Sequence, residues 1–254
     1  MEFEGKVAVI TGAGMGIGKA IAIAFAEEGA SIVVVDVNID TGQETVKTIQ
    51  NKGGRAIFIQ ADVSNASDAQ QIAVDTINSF ERIDVLVNNA GIQHYGSVIE
   101  TTEEEWDQVL GVNLKSIFLC SKYCIPEIQK QGSGSVINIA SVQGIASQKR
   151  VCPYSASKGG AISLTRNMAI DFAADNIRVN CVCPGSIDTP LLRAAAELTG
   201  NSQQAIEEWA DAHVLKRVGQ PKEVAQVVLF LASNKASFIT GAAYVVDGGL
   251  ITQL

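Results

Sequence analysis

Tyr154 and Lys158 stand four residues apart, and Ser141 precedes the tyrosine by 13 positions. On a helix, side chains at i and i+4 lie on one face, so phenol and ammonium would share the same space. A free phenol titrates near ~10 and is a poor base at neutral pH. A neighbouring ammonium favours the phenolate and brings it towards useful general-base strength. A serine hydroxyl nearby can hydrogen-bond a substrate oxygen as charge develops on it. The three groups together suit proton transfer at the oxygen of a carbinol or carbonyl.

A second cluster suits phosphate. Thr11-Gly12-Ala13-Gly14-Met15-Gly16-Ile17-Gly18 follows an apolar run and opens an apolar helical pattern. Glycines let the backbone turn tightly and approach a pyrophosphate, whose charge rests at the helix N-terminus. Asp36 ends the next apolar run, 18 positions after Gly18. A carboxylate there accepts hydrogen bonds from adenosine ribose hydroxyls and repels a 2′-phosphate. The following Val37 and Asn38 supply no cation, so NAD is expected over NADP. Asp62-Val63 could address an adenine amine, and the small residues of Asn88-Asn89-Ala90-Gly91 permit close approach to a ribose.

These residues must be positioned by elements, and the elements are legible. Short apolar runs fall at 7–11, 31–36, 56–60, 85–88, 135–140, 177–183 and 244–246. Several are rich in β-branched residues, as in Ile32-Val33-Val34-Val35, which suits parallel strands buried on both faces. Helical patterns lie between them, for example at 16–28, 40–52, 66–80 and 103–131, the last opening with Thr101-Thr102-Glu103-Glu104-Glu105. The alternation predicts an α/β, Rossmann-type, doubly wound parallel sheet with helices on both faces and right-handed crossovers. Ligands of such sheets sit beyond the carboxyl ends of the strands, where both clusters fall.

Bulk properties narrow the classes. A chain of 254 residues with 47% hydrophobic and 18% charged residues suits one domain with a large core, spanning 1–254. A net charge of −8 argues against nucleic acid as a partner. No signal peptide or membrane-length apolar run is visible, so a cytoplasmic location is expected, with no membrane partner. The five cysteines form no C-x-x-C pair and lie far in sequence from the two histidines, so no metal site is expected and the thiols read as reduced and mostly buried.

The chain resembles the short-chain dehydrogenase/reductase family from end to end. Residues 11–18 match its T-G-x-x-x-G-x-G loop, Asn88-Asn89-Ala90-Gly91 its N-N-A-G segment, and Pro184-Gly185 its P-G turn. Asn113, Ser141, Tyr154 and Lys158 match its catalytic tetrad. The resemblance implies that Tyr154 is the acid/base and Ser141 orients the substrate. Lys158 would bind ribose hydroxyls and lower the tyrosine pKa, and Asn113 would hold a water that passes protons from Lys158. Thr189, and the backbone of Ile187, would meet the nicotinamide carboxamide. It further implies seven strands in the order 3-2-1-4-5-6-7 and a homotetramer built partly through the long helices after Glu103 and Tyr154.

Substrate choice would lie in the loop after Gly91, the residues after Ser141 and a lid segment near 188–214. Gln93, His94 and Gln143 supply polar groups suited to several hydroxyls rather than to a steroid or fatty chain. Ile187-Asp188-Thr189-Pro190-Leu191, with Glu208-Trp209 and His213 downstream, is similar to aldose dehydrogenases of the family, as is Ser141-Val142-Gln143. Trp209 joins the candidate substrate residues, and oxidation of an aldose at C1 to a lactone is the expected reaction. Three other readings stay open. A 3-oxoacyl-[acyl-carrier-protein] reductase usually prefers NADPH, yet Ala13 and Val37 stand where its cations would be expected, leaving Lys19. A dehydrogenase of another small secondary alcohol or polyol is the second. A nucleotide-sensing protein without catalysis is the third, which the intact Tyr154 and Lys158 disfavour.

Overall fold

A computed structural model describes residues 1–252. Its strands are β1 (Val7–Thr11), β2 (Ser31–Asp36), β3 (Arg55–Gln60), β4 (Val85–Asn88), β5 (Gly134–Ile139), β6 (Ile177–Pro184) and β7 (Ala243–Val246). Among the described residues they form one seven-stranded sheet in the order β3-β2-β1-β4-β5-β6-β7, every neighbouring pair parallel. β1 is the switch point: the chain winds out through β2 to β3, then crosses to β4 on the other side.

Alternation along β1 shows how the core divides. Val7 and Val9 face one side, with α3 (Ala66–Phe80), α5 (Ser116–Gln129) and α6 (Cys152–Asp171). Ala8 and Ile10 face the other, with α1 (Gly16–Glu27), α2 (Ile39–Asn51) and α9 (Pro221–Ala232). Fully buried Ile72 and Ile128 anchor the first layer, and Ile21, Phe25 and Leu231 the second. Each such side chain contributes about 1.5–3 kcal/mol of transfer free energy, which makes the sheet a rigid platform for its loops.

The pattern at 103–131 is not one helix. α4 (Glu103–Leu110) passes through a π-helical turn at Gly111–Lys115 into α5. A π-turn inserts one extra residue and re-aims the side chains it contains. Here it turns Asn113 inward until it is 1% exposed. The start at Thr102 is as expected, with Thr102 and Glu105 forming a reciprocal capping box. The lid segment holds two helices, α7 (Pro190–Glu197) and α8 (Ser202–Ala212). No helix among the described residues is long and apolar enough to cross a membrane.

Candidate active site

A cleft of ≈ 990 Å³ runs along the carboxyl edge of the sheet, from Gly12, Asp36 and Asp62 at one end to Ser141, Tyr154 and Trp209 at the other. Its first half is built on β1 and β4. The Thr11 hydroxyl accepts from the N–H groups of Asn89 at 3.0 Å and Ala90 at 3.1 Å. The Asn89 amide donates back to the carbonyls of Thr11 at 2.9 Å and Gly12 at 3.0 Å. The Asn89 side chain thus staples the two strand ends, and Asn89 itself lines the cleft. Ala90 and Gly91 line the cleft as expected.

Gly12 and Gly16 have φ of 62° and 56°, a region open mainly to glycine. A Cβ on Gly18 would overlap the Gly12 carbonyl oxygen, so that glycine is required for close packing of α1 against the loop. Gly14 and Gly18 stand behind the cleft, while Gly12, Met15, Gly16 and Ile17 line it. α1 begins without a side-chain cap and without an acidic residue in its first turn. Its free N–H groups and positive dipole end thus face the cleft, a fitting cradle for a pyrophosphate.

Asp36 closes this end. Its Oδ2 accepts from Gly14 N–H at 2.8 Å and its Oδ1 from Asn38 N–H at 3.0 Å. Val37 lies exposed beside it. Lys19 turns away to Glu44 at 2.7 Å, so its charge does not answer Asp36. Asp62 and Val63 line the cleft, with Asp62 Oδ1 accepting from the Ser64 N–H and hydroxyl. The residues present fit a dinucleotide.

The second half holds Ser141, Tyr154 and Lys158. Tyr154 sits in the first turn of α6 and Lys158 one turn later. Lys158 is 3% exposed, and burial pushes its ammonium down to about 8. Its Nζ donates to the Ile139 carbonyl at 2.7 Å and lies 5.5 Å from the centroid of the Tyr154 ring. Burial raises the Tyr154 phenol to about 12, against a hydrogen bond from Ser141 that favours the phenolate. In the chain alone, then, desolvation outweighs the Ser141 hydrogen bond that promotes ionisation. Ser141, at the end of β5, accepts from Gln143 N–H at 3.1 Å and is 7% exposed.

Asn113 does not line the cleft. Its Oδ1 accepts from Ile92 N–H at 2.8 Å, and its Nδ2 donates to Ile92 O at 2.9 Å and Ser157 Oγ at 3.1 Å. The Asn113 side chain thus clamps the loop after Gly91 to α6. Pro184, Gly185, Ile187 and Thr189 line the cleft after β6. The Thr189 hydroxyl caps α7, accepting from Leu192 N–H at 3.2 Å, and also donates to the Ile187 carbonyl at 3.2 Å. A methyl placed on Gly16 would lie 3.3 Å from the Thr189 methyl, so this loop closes over the glycine turn.

Of the expected substrate residues, Gln93, Gln143 and Trp209 line the cleft and His94 does not. His94 Nε2 pairs with Glu105 Oε1 at 3.0 Å, while the other oxygen of Glu105 caps α4. The Glu105 carboxylate at the helix start takes the imidazole away from the pocket. Gln93 Nε2 and Gln143 Oε1 are buried without a partner. Sequence reasoning left Tyr95 unassigned; it lines the cleft, and its phenol is close enough to raise that of Tyr154. Sequence reasoning also passed over Gly144. A Cβ there would lie 2.7–2.8 Å from the backbone of Lys158 and Gly159, so the turn after Ser141 rests directly on α6. No local pattern signals that contact.

Known proteins match this architecture along its whole length. A family profile described as enoyl-(acyl carrier protein) reductase matches residues 12–251. An uncharacterized oxidoreductase of Thermotoga maritima is 43% identical over 249 residues, covering 98% of each chain. A 3-oxoacyl-[acyl-carrier-protein] reductase of the same organism is 39% identical, covering 99% of this chain and 100% of the relative. The ligand-free aldohexose dehydrogenase of Thermoplasma acidophilum superposes with a TM-score of 0.92 at 38% identity, covering 99% of this chain and 96% of that one.

Proposed function

The chain belongs to the short-chain dehydrogenase/reductase family of oxidoreductases, and from that premise we propose that it is an NAD-dependent dehydrogenase oxidising an aldose at C1 to the lactone. One observation carries the substrate class. Gln93 Nε2 and Gln143 Oε1, a donor and an acceptor, are both buried and unpartnered in the cleft that holds Tyr154 and Ser141. Leaving them unmet costs about 1–3 kcal/mol each, and rotation of the two amides into the cleft lets a substrate with further hydroxyls beside the reacting carbon remove that cost. The aldohexose dehydrogenase neighbour supports the same reading.

NAD, when bound, supplies the hydride acceptor. The glycine turn and the uncapped start of α1 would hold its pyrophosphate, and Asp36 would take the adenosine ribose hydroxyls. The fixed negative charge of Asp36, with Lys19 paired elsewhere, disfavours a 2′-phosphate. Ser141 donates to the oxygen of the reacting carbinol, and Tyr154 takes its proton as the C1 hydrogen departs with its electron pair. Tyr154 enters this step as the phenolate and leaves it as the neutral phenol, and the Lys158 ammonium, one turn away on α6, offsets the charge of the phenolate before the transfer. In the reverse direction the protonated Tyr154 is the acid. The outward Phe118 of α5 and Ile170 of α6, 52% and 77% exposed, support assembly of subunits through these helices.

The test is NADH formation over a panel of aldoses, polyols and simple secondary alcohols, with NADH consumption on a 3-oxoacyl thioester beside it. Aldose turnover is the expected result. Absence of aldose turnover with strong activity on another class overturns the sugar assignment.

A further inference from the structure

α8 carries Trp209 into the cleft, yet only one of its residues, Ala205, is buried. Side-chain hydrogen bonds from Gln203 to Glu207 and from Gln204 to Glu208 run along the helix itself and do not hold it to the body. The residue that caps its C-terminal end does. His213 turns its ring inward and is 2% exposed. Its Nδ1 lies 2.6 Å from the Trp209 carbonyl oxygen, and its Nε2 accepts from the Ser186 N–H at 3.2 Å.

A carbonyl only accepts and an amide N–H only donates, so one neutral tautomer, protonated at Nδ1, satisfies both. The two partners stand on different walls of the cleft. Trp209 belongs to the lid, and Ser186 to the turn between β6 and Ile187, which lines the cofactor half. The ring occupies a fitted slot: a Cβ on Gly185 would lie 3.0 Å from Nε2, and one on Gly248 3.5 Å from Cδ2. The Ser186 turn is held independently of the lid, since its carbonyl accepts from Gly219 N–H at 2.8 Å and Gly185 N–H donates to Val246 O at 3.0 Å. The histidine therefore fixes a weakly packed lid to a firm loop.

We infer that His213 is a positioning residue that latches α8 to the Ser186 turn and so sets Trp209 as a wall of the substrate pocket. The inference rests on the reading of this cleft as a dehydrogenase site, and its test separates the two. Asn places an amide where Nδ1 stands and keeps the Trp209 bond, whereas Gln reaches the Nε2 position and keeps an acceptor for Ser186. With D-glucose as substrate, His213→Asn raises KM about fivefold, the worth of one hydrogen bond. Turnover number and the dissociation constant of NAD stay unchanged, and His213→Gln restores KM. An unchanged KM in His213→Asn overturns the latch. So does a joint fall of turnover, NAD affinity and melting temperature in both variants, which marks general damage.

If no aldose is turned over, the sugar reading fails and amide exchange of the wild-type protein decides the latch. The latch requires Ser186 N–H to be protected to the same degree as residues 202–213. Fast exchange at Ser186 beside a protected α8 overturns it, and this arm needs no variant to fold.

Discussion

The Asp36 carboxylate accepts a hydrogen bond from the Gly14 N–H at 2.8 Å, across the mouth of the cofactor half of the cleft. Its second oxygen is held by Asn38 N–H at 3.0 Å, so the charge is anchored by backbone on both sides. One carboxylate thus braces the glycine turn, and in the proposed reading it is the charge that a 2′-phosphate would meet.

Asp36→Ala removes both effects. The ratio of kcat/KM for NADP over NAD rises by about tenfold or more, since a close like-charge contact at a protein surface exceeds ~1.4 kcal/mol. Melting temperature falls because Gly14 N–H loses its partner. Steady-state kinetics with each dinucleotide measures the ratio, and an unchanged ratio contradicts the role of Asp36 as the discriminator.

Tyr154→Phe and Lys158→Met both abolish turnover, but they part in stability. Burial holds the folded Lys158 near pH 8, below the usual 10.5. Between those values the unfolded chain carries a proton that the folded chain has released, so wild-type stability rises with pH across the window. Below it, a buried charge is a standing cost, which Lys158→Met removes. The methionine variant melts above wild type at pH 7, and the gap narrows by pH 10. A variant that melts below wild type at pH 7 contradicts the sign. Oxidation by wild type speeds up from neutral to alkaline pH, because burial holds Tyr154 protonated at neutral pH.

Gly144→Ala inserts a methyl 2.7–2.8 Å from the backbone of α6. The Ser141 turn and the helix bearing Tyr154 must separate to admit it. Overpacking of this kind costs about 1–3 kcal/mol, and the shift of Ser141 lowers kcat together with stability. Chemical denaturation and single-turnover kinetics read both. Wild-type values for the alanine variant contradict the direct contact.

His94→Ala and Gln143→Leu separate two residues that look alike in sequence. The His94–Glu105 pair is partly exposed, and pairs of this kind are worth at most about 1 kcal/mol, so the alanine variant keeps its substrate KM. Gln143→Leu removes the unpaired acceptor from the cleft and raises KM for a sugar about tenfold. Equal effects at the two positions argue against the polar-pocket assignment.

The strands were readable because parallel strands buried on both faces leave unbroken β-branched runs, and β2 falls at 31–36 in both descriptions. The glycine turn, Asp36, Ser141, Tyr154 and Lys158 were readable because each follows a strand or shares a helix face. The place of His94 was not. Polar type alone does not say whether a side chain meets a ligand or another part of the chain, and here Glu105 claimed the imidazole first. The continuous pattern at 103–131 hid the π-turn, because one inserted residue leaves the apolar face nearly intact.

The sequence by itself determined the alternation of strands and helices, the phosphate-binding turn and the Ser141, Tyr154 and Lys158 set. Those features depend on spacing within a few residues, where backbone geometry allows few choices. Tertiary structure alone decided which polar groups remain free in the cleft, that desolvation outweighs the promoters of Tyr154 ionisation, and that His213 ties the lid to the Ser186 turn. Those outcomes depend on burial and on partners distant in sequence, and such contacts exist only once the sheet has brought β1, β4, β5 and β6 side by side.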